Sequence, residues 1–172
     1  MVKKIVVIGP ESTGKSTLCE RLAAHYNTIW VPEYAREFLL TNGTSYAFED
    51  LLTIAKGQIE LEEAATNAAE QLLFIDTDMY VMKVWSEFVF EARHNWVEEQ
   101  LKQRRYDLYL LCDVDLPWTK DELREYPDLE TRRTLFNIYH KLMQEQATPW
   151  VLIQGDYEER FRIAIEAVDS MK

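Results

Sequence analysis

The run Gly9-Pro10-Glu11-Ser12-Thr13-Gly14-Lys15-Ser16-Thr17 has the residue types and the spacing that grip phosphate. Glycines at both ends of a short turn let the backbone approach an anion closely. Backbone N–H groups and the start of a following helix then face the phosphate oxygens. In this pattern the lysine reaches the β and γ phosphates, and the serine hydroxyl is a Mg²⁺ ligand. The pattern requires a strand before it and a helix after it. The apolar run 4–8 and the Leu18/Leu22 pair supply both. Residues 9–17 are therefore assigned to the nucleotide, with Lys15 also catalytic and Ser16 also on the metal.

Further acids and bases follow other apolar runs. Asp76 ends "LLFID", the position of an aspartate that holds the Mg²⁺ shell. Asp78, two residues on, either caps the next helix or points into an acceptor site. Glu33 and Arg36 leave the second apolar run three residues apart, on one side if the segment is helical. A carboxylate there can take the proton of an attacking hydroxyl, so Glu33 and Asp78 are both candidate bases. The segment 115–133 carries Arg124 and Arg132 around a proline-containing turn and reads as a lid over the terminal phosphate. Trp30, Tyr34, Tyr80, Trp85 and Trp118 are candidate stacking faces, and Gln58 a candidate sugar contact. Asp156 leaves the last apolar run in a loop expected beside the base. The three histidines share no ligand spacing.

These residues need elements to hold them. Five apolar runs, 4–8, 28–31, 71–75, 107–112 and 150–154, lack polar alternation, as strands covered on both faces do. Helical patterns lie between them, with stripes such as Leu52/Ala55/Ile59 and Val81/Trp85/Phe88. Alternation of this kind predicts an α/β three-layer sandwich: a five-stranded parallel sheet with helices on both sides, plus the lid. In such sheets ligands bind beyond the carboxyl ends of the strands, where every residue above falls.

Composition narrows the function. The 172 residues carry no repeat or linker and read as a single domain, 1–172. A net charge of −11 denies the basic face that nucleic acid needs. Two distant cysteines, Cys19 and Cys112, read as buried free thiols in a reducing cytoplasm. No run is long enough to span a membrane. The Asn-Lys-x-Asp box of guanine readers is absent, which favours ATP. A small chain with an acceptor pocket fits a MgATP-dependent kinase of a small-molecule hydroxyl. A kinase of another nucleoside or metabolite, and a nucleotide-dependent ATP-binding or regulatory module with slow ATPase activity, remain the alternatives. Homo-oligomerisation is left open.

The ordered set "GPESTGKSTL", "EYAREFL", "LLFIDTD", "DVDLPWTKDELR" and "GDYEERF" resembles the ribosylnicotinamide kinase domain of NadR-type NAD-salvage proteins. The resemblance runs over nearly the whole chain. It implies a nucleoside-kinase-like P-loop fold and MgATP-dependent phosphorylation of the 5′-hydroxyl of nicotinamide riboside to nicotinamide mononucleotide. By position it implies phosphate and Mg²⁺ duty for Gly9, Gly14, Lys15, Ser16 and Thr17. Glu33 and Asp76 become the acids near acceptor and metal, and Arg124 and Arg132 the lid arginines. Where such proteins can present a tryptophan directly before the glutamate, this chain has Pro32, with Trp30 on the same side of the strand. Longer NadR-type proteins add DNA-binding and adenylyltransferase regions, for which 172 residues leave no room.

Overall fold

The computed structural model describes residues 1–171. Its elements run β1 (Lys3–Ile8), α1 (Lys15–His25), β2 (Ile29–Val31), α2 (Tyr34–Asn42), α3 (Phe48–Ala68), β3 (Leu72–Asp76), α4 (Met79–Phe90), α5 (Asn95–Gln103), β4 (Leu108–Cys112), α6 (Leu129–Glu145), β5 (Trp150–Ile153) and α7 (Tyr157–Asp169). The five strands form one parallel sheet in the order β2-β3-β1-β4-β5. All five apolar runs are strands, and the sandwich expected from their alternation with helices is the fold observed.

β1 lies at the centre and is sealed on both faces, which is why its sequence shows no polar alternation. Ile5 and Val7 point into a layer completed by Leu18 and Leu22 of α1 and Ala164 and Val168 of α7. Val6 and Ile8 point the other way, toward Val84 of α4 and Leu135, Tyr139 and Met143 of α6. A third cluster joins α2, α3, α4 and α5 through Ala35, Leu51, Ile54 and Met82. Cys19 and Cys112 are buried and unpaired, as the sequence implied.

Two helical stripes differ from their reading. On α3 Ala55 and Ile59 are buried as expected, together with Leu51, Ile54 and Gln58, while Leu52 is only half-buried. On α4 the buried side is Met79, Met82 and Ser86, and the Val81/Trp85/Phe88 stripe is half-buried on the wall of a cleft. Among the described residues no helix is long and apolar enough to cross a membrane.

Candidate active site

A cavity of about 640 Å³ opens at the carboxyl ends of β1, β2 and β3. Its phosphate-binding end is built by backbone conformation. Gly9 has φ +144°, and a β-carbon there would stand 2.7 Å from the Cys112 carbonyl, so β4 passes too close for any side chain. Ser12 sits in the left-handed region (φ 56°), and Gly14 (φ 76°) occupies the N-cap of α1. Successive turns of this kind aim backbone N–H groups into one concavity. Lys15 Nζ rests 2.9 Å from the Pro10 carbonyl, folded over the loop, and Thr13 Oγ1 donates to the same oxygen at 2.7 Å.

Arg160 of α7 braces this loop from beneath. It is 3% exposed and donates to the carbonyls of Thr13 (2.9 Å), Gly155 (2.7 Å) and Asp113 (3.1 Å), besides pairing with Asp115. One guanidinium thus ties the loops after β1, β4 and β5 together.

The acidic side is set by β2 and β3. Asp76 lies in register with Val7, just before the phosphate loop, and accepts from Ser16 Oγ at 2.5 Å. Burial pushes its carboxyl up, opposed by Lys15 and the Ser16 hydroxyl. Glu33 holds the N-cap position of α2 without capping it: its side chain makes no bond to the helix and lines the cavity instead. Burial, and then the Asp76 carboxylate, push Glu33 up from the ordinary carboxylate range. Gln58, 1% exposed, fixes this corner. It accepts from Tyr34 N at 2.8 Å and donates to the carbonyls of Pro32 (3.3 Å) and Asp76 (3.4 Å).

The connection 113–128 between β4 and α6 is irregular and lies against the phosphate loop. Thr119 N donates to Ser12 Oγ at 2.9 Å, and the Glu11 carboxylate accepts from Glu125 N (3.0 Å) and Tyr126 N (2.5 Å). Arg36 reaches from α2 to Asp121 of this segment at 2.8 Å. Tyr46 OH donates to Glu125 (3.0 Å) and accepts from Trp85 Nε1 (2.9 Å), joining the segment to α4.

The structure gathers residues 9–17, Trp30, Glu33, Arg36 and Arg124 around the cavity, with Asp76 behind Ser16. Six other candidates lie elsewhere. Asp78 is 1% exposed and faces the core, capping α4 at Tyr80 N (3.0 Å) and accepting from Tyr109 OH (2.7 Å). The cause is Thr77, whose left-handed φ of 77° breaks the alternation that would put Asp76 and Asp78 on one side. Gln58 is turned inward onto backbone, away from any sugar. Tyr34 packs flat on Gly57, whose added β-carbon would fall 2.2 Å from its ring. Trp118 does not line the cavity, and its Nε1 is sealed without a partner. Asp156 is an exposed cap of α7, accepting from Glu158 N (3.0 Å) and Glu159 N (2.9 Å). Its neighbour Tyr157 lines the cavity beside Gly14. Arg132 is buried and clamps the segment to Ser12 O at 3.2 Å, rather than reaching into the cleft.

Sequence reasoning offered Trp85 of α4 as a stacking face but missed the rest of the cavity's apolar wall: Phe88 from α4, Leu123 and Tyr126 from the 113–128 segment, and Leu135 and Tyr139 from α6. A stripe at helical spacing reads the same whether core or cleft covers it, so no sequence signal separated these residues from packing.

Comparison with known proteins agrees with this geometry. Residues 4–160 match the family described as AAA domain. The chain is 29% identical over 175 residues to the trifunctional NAD biosynthesis/regulator protein NadR of Escherichia coli K12, an alignment covering 99% of this chain and 43% of that protein. NadR of Salmonella typhimurium matches equally. Among solved structures, NadR in complex with NR superposes with a TM-score of 0.84 at 26% identity, over 99% of this chain and 49% of that one. Thymidylate kinase from Ehrlichia chaffeensis shares the fold alone, with a TM-score of 0.69 at 12% identity over 99% of both chains. The chain spans less than half the length of the NadR proteins it matches. By the match over residues 4–160, with the phosphate loop, Asp76 and the five parallel strands in place, this chain belongs to the AAA domain family, in the form that resembles the ribosylnicotinamide kinase domain of NadR-type proteins.

Proposed function

We propose that the protein transfers the terminal phosphoryl group of MgATP to a nucleoside hydroxyl, with nicotinamide riboside as the acceptor and nicotinamide mononucleotide as the product. The observation that carries this reading is Glu33. It is a carboxylate at a helix N-cap that leaves the cap unmade and faces the cavity, with the phosphate loop on one side and an apolar lobe on the other. A nucleotide-binding module has no need of that second lobe. The NadR structure with bound NR, similar over 99% of this chain, supports the choice of acceptor.

In this reading residues 9–17 hold the triphosphate, and Lys15 exchanges the Pro10 carbonyl for phosphate oxygens. The residues present fit Mg²⁺: Ser16 Oγ and the Asp76 carboxylate already converge, and a hard cation completes its shell with phosphate oxygens and water. Among the described residues no cluster of three or more His, Cys, Asp or Glu could hold a metal unaided, which accords with binding alongside the nucleotide. Bound there, Mg²⁺ neutralises charge on the phosphates. Glu33 orients the acceptor hydroxyl and takes its proton, and its raised affinity for protons suits that task near neutrality. Arg124 supplies positive charge at the mouth, and the 113–128 segment excludes water.

The test is ADP release from MgATP over a nucleoside panel with a no-acceptor control. Nicotinamide riboside should stimulate release. Glu33→Gln should lower kcat by roughly 10²–10⁴-fold with little change in ATP affinity, the usual worth of a general base. Lys15→Ala should impair both. ATP binding with no stimulation by any acceptor would refute the kinase reading and favour a binding module.

A further inference from the structure

Tyr139 lies within α6, packed beside Leu135 and Met143. The residue is only 4% exposed, and it contributes to the wall of the cavity. Among the described residues its hydroxyl makes no hydrogen bond. Two tyrosines of the same layer are satisfied: Tyr109 donates to Asp78 at 2.7 Å and Tyr106 to Glu62 at 2.8 Å. Among the described residues the sealed side-chain polar atoms without a partner are Trp118 Nε1 and Arg132 Nε, so the Tyr139 oxygen is not enclosed by protein. Buried tyrosines normally find a partner for the hydroxyl, and here the open direction is the cleft.

Neighbouring side chains define what the partner carries. Val81, Trp85 and Phe88 present a flat apolar stripe along the same cavity, with the Trp85 indole fixed by its bond to Tyr46 OH. Such a stripe receives the face of a ring, where only its edge can form hydrogen bonds. Burial, and then the Glu33 and Asp78 carboxylates, push the Tyr139 phenol far up, so it stays protonated and available to donate.

We propose that the Tyr139 hydroxyl is a specificity-determining contact of the acceptor lobe, donating to an oxygen substituent on a flat ring that lies along Trp85 and Phe88. The chemical class is a nucleoside whose base carries a carbonyl or carboxamide oxygen. That this ring belongs to a phosphoryl acceptor rests on the function proposed above.

The experiment compares wild type with Tyr139→Phe, which keeps the ring in its packing and removes only the oxygen. Binding is measured by calorimetry for nicotinamide riboside, for uridine, and for pyridine riboside, which lacks the carboxamide. ADP release is read separately. One hydrogen bond is worth about 0.5–1.5 kcal/mol, so the variant should bind whichever carbonyl-bearing nucleoside the wild type takes roughly two- to twelvefold more weakly. Its affinity for pyridine riboside and its Tm should not fall. Selective weakening supports the contact even if no ADP is released, which separates its fate from that of the kinase reading. Equal weakening of all ligands, a lower Tm, or a wild type that binds neither carbonyl-bearing nucleoside would overturn it.

Discussion

Gln58→Leu isolates the corner that holds Glu33. Gln58 is 1% exposed and bonds three backbone groups: Tyr34 N at 2.8 Å, Pro32 O at 3.3 Å and Asp76 O at 3.4 Å. Two of these flank Glu33 in sequence, and the third belongs to the strand end that carries Asp76. Leucine fills a similar volume but offers no hydrogen bond. Tyr34 N–H begins α2, so it has no partner within the helix once the side chain is gone. Leaving one buried donor unmade costs about 1–3 kcal/mol, and the two longer bonds add less than 1 kcal/mol each. The expected loss is therefore about 2–4 kcal/mol, or a Tm lower by about 4–16 °C for a domain of this size. Catalysis should suffer separately. At a temperature where the variant is folded, kcat should fall at least about tenfold as Glu33 loses its position. The KM for MgATP should change less than about twofold, because the phosphate loop is braced independently by Arg160. Urea unfolding and steady-state ADP release measure the two effects. A destabilised variant with unchanged kcat would show that the corner does not position Glu33. An equal rise in the KM for MgATP would show that the damage spreads to the loop.

Three other outcomes are expected. Turnover should rise with pH as Glu33 loses its proton, in a range above the ordinary carboxylate one because burial and Asp76 raise it; a kcat/KM profile that is flat from pH 5 to 8 would remove Glu33 as the base. Gly9→Ala should abolish nucleotide binding, since its β-carbon meets the Cys112 carbonyl at 2.7 Å in a backbone region hostile to side chains; titration with a fluorescent ATP analogue and a thermal melt check it. Asp78 is raised by burial from 3.8 to about 7, so its contribution to stability is complete below about pH 4 and is lost as pH rises through about 7. Asp78→Asn should therefore flatten the decline in stability between pH 4 and 7, by up to about 4 kcal/mol, as read by urea titrations at each pH.

The sequence disclosed those parts of the site whose chemistry depends on backbone shape. Gly9 is needed because no side chain fits where β4 passes, and Gly14 because its φ of 76° lies where side chains rarely sit; such needs leave glycines at fixed spacing. The strands were legible because both faces of β1 and β4 are covered, which forces uninterrupted apolar runs. Legibility failed where one residue type serves two roles. Gln58 bonds backbone as readily as sugar, and Asp156 caps a helix as readily as it meets a base. Trp85 and Phe88 look the same in sequence whether they line a core or a cleft. Arg124 and Arg132 sit eight residues apart within the stretch 115–133 read as a lid, yet 129–133 begin α6, where Arg132 is buried under Ser12, while Arg124 lines the opening. Only the path of the chain distinguishes them.

The division of labour between Asp76 and Asp78 follows from a single backbone torsion. Both carboxyls are fully buried, and desolvation is the largest cause raising each. Their neighbours differ because Thr77 is left-handed. Asp76 is left facing Lys15 and Ser16, groups that favour its charged form, the form that attracts a cation. Asp78 is left with Tyr109 and the first turn of α4, partners that a core residue needs and a substrate does not. The strain at Thr77, of order 1–3 kcal/mol for a residue held in that region, is offset by the cap Asp78 makes and by the ladder bond from Thr77 N to Val7 O at 3.1 Å. Extended backbone at Thr77 would bring Asp78 round to the side of Asp76 and Glu33. Three carboxyls would then share a corner with one lysine, and the mutual repulsion would raise all three further and weaken the hold on phosphate. The left-handed turn leaves two carboxyls at this corner, Asp76 beside Ser16 and Glu33 on the cavity, which the proposed function assigns to the metal and to the proton.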